Sequence, residues 1–293
     1  MPQNAKKQPI KYREVERALR QEIAAGTWRA GDRLPGEYEL ASTYGVSYLT
    51  VRQAVLEQRS FWRSAEYALF TFAFPLMILL LIGAANAGSH LPGTDIKRTT
   101  VFVPGILAFG VIVAAYVNLG SKVAVLRHDG VLKRIRTTPL PSGAYIGGLL
   151  VSTVVTVIFI TAATGMIGWL AFGAAPRPGE LLALTAGLVL GTVCFAALGL
   201  AISSVITSAE SAGPVAYASF LPIAIISGVF DPTFSGLPDW LSRLVDMFPV
   251  KALAEVLQNA YAVRPFPAWN LANLALWTAA GAVFTVWRFR WHS

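Results

Sequence analysis

The chain has 293 residues, 55% of them hydrophobic and only 14% charged, with a formal net charge of +8. A water-soluble domain carries about a quarter charged residues, so this composition excludes a chain that is soluble throughout. The single cysteine, Cys194, excludes an intrachain disulfide framework and argues against a thiolate metal site. It lies in an apolar run and reads as a small buried thiol.

The charges are unevenly placed. Residues 1–66 hold 11 of the 24 Lys+Arg and 8 of the 16 Asp+Glu. This shift sets a boundary between Gln58 and Tyr67, dividing the chain into residues 1–58 and 59–293. The first 60 residues are polar and lack the apolar core of a secretory signal, so insertion is expected from internal spans.

Within the polar part, Val15, Ala18, Leu19 and Ile23 recur at helical spacing, and Gly26 ends that helix. A turn-rich connector follows from Gly31 to Pro35, then a short helix from Glu37 to Tyr44. Gly45, Val46 and Ser47 make a turn with Ser47 as N-cap, and a further helix runs from Tyr48. A helix, a glycine turn and a second helix is the geometry that lays a helix in the DNA major groove. Gly26, Gly31, Asp32, Leu34, Pro35, Glu37, Glu39, Leu40, Ala41, Gly45, Val46, Ser47, Thr50, Val51, Arg52 and Ala54 resemble the start of the GntR family of winged-helix regulators. The resemblance implies DNA contacts from Ser47, Tyr48, Thr50 and Arg52. It stops near Gln58, before that family's wing, which makes residues 1–58 a truncated helix-turn-helix. Tyr38 and Tyr48 also stand where the family commonly has arginines. Each good base contact is worth ~1–3 kcal/mol, so these departures predict weak DNA binding at most.

The segment around Phe61 and Trp62 mixes cations with aromatics, as an amphipathic helix or a snorkelling flank at the headgroup level does. Six apolar stretches then approach the roughly 20 residues that cross a bilayer as a helix. They lie at about 67–87, 101–122, 144–170, 180–206, 213–230 and 269–288. In lipid every backbone N–H and C=O must be paired internally, so these are expected to be helices, and residues 59–293 an all-α, six-span membrane domain. With six spans both termini share one side. That side carries 18 basic residues: those of the N-terminal segment, Lys122, Arg127, Lys133, Arg134, Arg136, Arg288 and Arg290. The other side carries Lys97, Arg98, Arg177, Arg243, Lys251 and Arg264. The basic side is the cytoplasmic one, in a cell inner membrane. Trp169, Trp240, Trp269, Trp287 and Trp291 fall near span ends, where interfacial aromatics belong. Ionisable groups such as Lys122, Glu210 and Asp231 sit only at span edges. This argues against ion-coupled transport and for an apolar or amphipathic cargo.

Between the second and third spans lies a patterned basic loop. Leu132 and Ile135 give it an apolar edge, Arg127, Lys133, Arg134 and Arg136 a cationic one, and Pro139 and Pro141 end it. Asp129 and Gly130, then Lys133, Arg134 and Arg136, then Thr138, Pro139, Leu140 and Pro141 resemble the permeases of the ABC-2 type. Ser227 to Phe230, Leu237 to Trp240, Phe248 to Val250 and Ala254 resemble that family's region between spans five and six. Arg59 to Arg63, with Phe74 and Pro75, match its start. The resemblance implies a drug, lipid or other amphiphile exporter whose loop docks on a separate ATP-binding subunit. Arg127, Asp129, Leu132, Lys133, Arg134, Ile135 and Arg136 would form that coupling surface, with Glu210 in a second, smaller contact. It also implies a second permease copy, most simply as a homodimer, and ATP and Mg held by the partner subunit. The chain itself contains no Gly-x-x-x-x-Gly-Lys-Ser/Thr loop. Gly143 and Gly147 read as points of close helix approach. The alternative, drawn from residues 1–58, is a membrane-tethered DNA-binding regulator of the GntR type.

Overall fold

The computed structural model describes residues 69–131, 142–230, 238–262 and 268–288. The helix-turn-helix expected in 1–58, the flank at 59–66 and the end of the tail lie outside them, as do positions 132–141. Among the described residues the chain is helical, apart from one isolated bridge between His90 and Lys97.

A π-helical turn, Leu69–Ala73, leads into α1, Phe74–Ala85. Helix α2, Arg98–Ile112, passes through a π segment, Val113–Asn118, into α3, Leu119–His128. Helix α4 is Ser142–Phe172 and α5 is Leu181–Ser203. Then come α6, Ala212–Ile226; α7, Asp239–Asp246; α8, Pro249–Ala262; and α9, Ala268–Arg288. Three stretches are long and apolar enough to cross a bilayer: Arg98–His128, Tyr145–Phe172 and Pro178–Ser203. Helices α1 and α6 are apolar but shorter. Helix α9 is long enough at 21 residues but carries Asn270 and Asn273.

The helices pack in alternating directions. Gly110 meets Ile160 and Gly168 meets Val103, so α2 and α4 are antiparallel. Tyr116 bonds Ser219 while Gly105 meets Val229, so α2 and α6 are antiparallel too. Gly199 abuts Ala115 and Tyr116, Gly120 abuts Ile202, and Gly281 abuts Ala197 and Leu198, so α5 runs parallel to both α2–α3 and α9. One end of the bundle therefore gathers the end of α3, the start of α4, the 204–211 turn and the end of α9. Helix α2–α3 is the axis, 89% buried in its apolar window, while α4 and α5 bury only 33% and 39%. The outward faces of α4 and α9 carry Val154, Ile158, Phe159, Met166, Val283 and Val286, the surface expected toward lipid.

Close approach is made by small residues, as in helix pairs that lack a hydrophobic driving force. Of the two glycines read in the sequence, the surroundings of Gly143 lie outside what is described, and Gly147 makes no close approach. A Cβ on Gly147 would meet nothing within 4 Å, whereas one on Gly199 would stand 2.8 Å from the Ala115 carbonyl oxygen. Glycine abundance alone does not say which face a helix turns inward. Cys194 is fully buried, as expected, and Trp169, Trp240, Trp269 and Trp287 are exposed near helix ends.

Between α6 and α9 the sequence reading assigned no elements. The structure has a helical hairpin there. Leu253 of α8 packs on Gly191 and Val256 on Gly187, so α8 lies among α2, α5 and α9 with ten of its residues buried. The preceding turn is pinned to α9, where the Asn273 side-chain amide donates to the Asp246 and Met247 carbonyls and the Trp277 indole N–H donates to Met247 at 2.8 Å. Phe248 stacks on Trp277 at 5.9 Å. Consequently Asp246, Lys251 and Glu255 are carried on an element packed into the bundle, rather than on a free loop. Lys251 pairs with Asp246 and lies 3.8 Å from Glu255, and Asn270 donates to Glu255. The pairing explains why these charges are tolerated there.

Candidate functional site

The end that gathers α3, the 204–211 turn and the end of α9 also holds Arg127, Asp129, Glu210 and Arg288. Helix α3 ends at His128 because Gly130 takes a left-handed φ of 67°, open to glycine and strained for most other residues. The Asp129 and Gly130 amides close the last turn on the Val125 and Arg127 carbonyls. The chain is thereby redirected into the basic loop. Asp129 and His128 are exposed at the corner. Leu132, Lys133, Arg134, Ile135 and Arg136 lie outside the described residues, as do Ser47, Tyr48, Thr50 and Arg52.

The second segment is the turn from α5 to α6. Ser208 and Ser211 lock it: their hydroxyls are 2.7 Å apart, and the Ser211 amide donates to Ser208 Oγ. Glu210 is exposed at its tip. Ile206 and Ala212 are buried against Ala124 of α3, with Val125 and Ile202 packed around them. The structure therefore brings together two of the expected sites, the head of the basic loop and the Glu210 turn. It also places Arg127 differently from the rest of the expected surface. Its guanidinium is only partly exposed and its Nη2 donates to the Ile206 carbonyl. That carbonyl lies in the turn that follows α5, three residues past its last helical residue, Ser203. Arg288, at the end of α9, is near enough for the two cations to repel.

Deeper in the bundle, polar groups cluster at the two π segments. Asn118 donates to Thr71 Oγ1 at 2.6 Å, joining one segment to the other, and the Tyr116 hydroxyl lies 2.7 Å from Ser219 Oγ. An aromatic set from Phe74 through Phe109, Phe220 and Phe230 to Tyr116 packs between α1, α2 and α6. Gln258 of α8 is buried near Gly105, and its amide nitrogen has no hydrogen-bond partner among the described residues. The sequence reading missed these groups. Pro249 followed by apolar residues at 250, 253, 254 and 257 was a legible helix signal. The π segments have no comparable sequence mark.

Two family comparisons and one relative bear on this arrangement. The ABC-2 type transporter family matches residues 47–261. The family of bacterial regulatory proteins named gntR matches residues 11–57. The histidine utilization repressor of Klebsiella aerogenes is 39% identical over 46 residues, which are 16% of this chain and 19% of the repressor. The chain thus spans about a fifth of that relative's length, and the likeness is confined to the N-terminal segment.

Proposed function

Because this chain belongs to the ABC-2 type transporter family and is an integral membrane subunit of an ABC transporter, we propose that it is the permease of an exporter driven by a separate ATP-binding subunit. In this reading α1, α2–α3, α4, α5, α6 and α9 are six passes of an inner membrane, with both termini in the cytoplasm. The partner binds ATP and Mg, two permease copies form the pathway, and this chain carries no catalytic step. The cargo is a drug-like or lipid-like amphiphile, which suits passes whose described charged groups, the α7–α8 pair aside, lie near the helix ends. The observation that supports the reading best is the pairing of the basic-loop head with the Glu210 turn at one end of alternating helices. Asp129, Leu132, Lys133, Arg134, Ile135, Arg136 and Glu210 would form the docking face. Closing of the ATP-binding subunits would favour one of two bundle arrangements through differential binding. The test is co-purification from membranes. The chain should retain an ATP-binding subunit encoded beside it, and Arg134→Glu with Arg136→Glu should release it. Retention by that variant would remove the docking assignment.

The gntR match favours a second reading, a membrane-tethered regulator. It requires salt-sensitive DNA binding by the full chain. Selection from a random duplex pool, followed by gel shift at low salt, decides it, and no enriched sequence would end that reading.

A further inference from the structure

We propose that Arg127 is an internal strut, a positioning residue that makes the end of α3 and the Glu210 turn move as one body rather than a cation that docks on the partner. The inference rests on the transporter reading above and assigns one residue of its coupling surface a different task.

Three observations carry it. First, the guanidinium is directed at the Ile206 carbonyl, across from α3 to the end of α5. A charge-assisted bond to that turn carbonyl is stronger than a neutral one, and it directs one arm of the guanidinium onto the chain's own backbone. Second, the two segments it joins are already in register below it. Ala124, Ile206 and Ala212 form a small closed core, and Gly120 and Gly199 bring α3 and α5 into backbone contact. Third, the turn beyond Ile206 is stiffened by the Ser208–Ser211 hydroxyl pair, so displacement of Ile206 is passed on to α6 rather than lost in slack. A push on the corner at Asp129 is then delivered through Arg127 to the α5–α6 junction. Arg288 adds repulsion from α9, which disfavours a guanidinium swung toward that helix.

The experiment uses the full chain in lipid nanodiscs. Cys194→Ala removes the native thiol, and spin labels are placed on His128→Cys and Thr207→Cys, which flank the strut. The unaltered Arg127 should give one narrow distance peak. Arg127→Ala should lose it in favour of a broad distribution, and Arg127→Lys, which keeps a donor, should recover much of it. In parallel, Arg127→Ala should co-purify with the ATP-binding subunit as well as the unaltered chain does, unlike Arg134→Glu with Arg136→Glu. A peak that stays narrow in Arg127→Ala overturns the strut, and so does loss of the partner with Arg127→Ala alone. If no chain retains a partner, the transporter reading fails at that step, while the label distances still decide whether the strut exists.

Discussion

Replacing Gly105 by alanine sets a steric demand whose size can be read from the structure. A Cβ at that position would lie 2.1 Å from the Val229 carbonyl oxygen, where real Cβ atoms essentially never come closer than 3.0 Å. The oxygen, or the whole of α2, must retreat by roughly 1 Å in an interior packed as densely as a crystal. Retreat is hard, because Val229 is fully buried and follows Gly228, a turn residue with φ of 75°. Overpacking of this kind costs ~1–3 kcal/mol. Gly165, inside α4, is the control, since a Cβ there would meet nothing within 4 Å. Its replacement by alanine relieves a helix-interior glycine penalty of up to about 1 kcal/mol. Gly105 gains the same helix propensity, so the two variants, identical in chemistry, should separate by the overpacking cost alone, about 1–3 kcal/mol, with Gly105→Ala the less stable. At roughly 2–4 °C per kcal/mol for a domain of this size, the midpoints of heat-induced aggregation in detergent should differ by several degrees. Equal midpoints would refute the packing argument and the register of α2 against the end of α6.

Asn273→Ala should free the turn between α7 and α8 by removing its amide from the Asp246 and Met247 carbonyls, at a cost of ~1–3 kcal/mol; faster amide exchange over 246–250 would register it. Gln258→Leu, of similar volume, should leave thermal stability unchanged or raise it by about 1 kcal/mol, because it removes a buried nitrogen with no partner among the described residues. A clear loss of stability there would show that the amide has a structural partner. Tyr38→Arg with Tyr48→Arg should strengthen DNA retention by the full chain and steepen its salt dependence by about one unit per phosphate gained; no change would show that the N-terminal segment does not meet DNA.

The helices were legible where the chain is monotonously apolar. The expected stretches at 101–122, 144–170 and 180–206 correspond to α2–α3, α4 and α5, because lipid leaves the backbone no other pairing. The hairpin of α7 and α8 was not read, although its match to the family region between spans five and six was noted. Lys251, Glu255 and Gln258 make it look like a solvated loop, and only Asp246, Asn270 and the packing of Leu253 and Val256 make its charges acceptable inside the bundle. At the candidate site, the residue types and the basic end could be inferred from charge asymmetry. The direction of Arg127 could not. A cation that would face a partner and a cation that binds the turn after a neighbouring helix have the same sequence, and only the position of Ile206 separates them.

Helix α6 has 15 residues, a rise of about 22 Å against a hydrocarbon layer of about 30 Å. In the proposed topology it falls short of that layer. Where its exposed edge at Val215 and Ile225 meets lipid, the acyl layer has to thin locally or let headgroups dip toward the protein. An amphiphile passing along that edge would haul its polar end through a narrower stretch of oil than beside the longer α4 or α5.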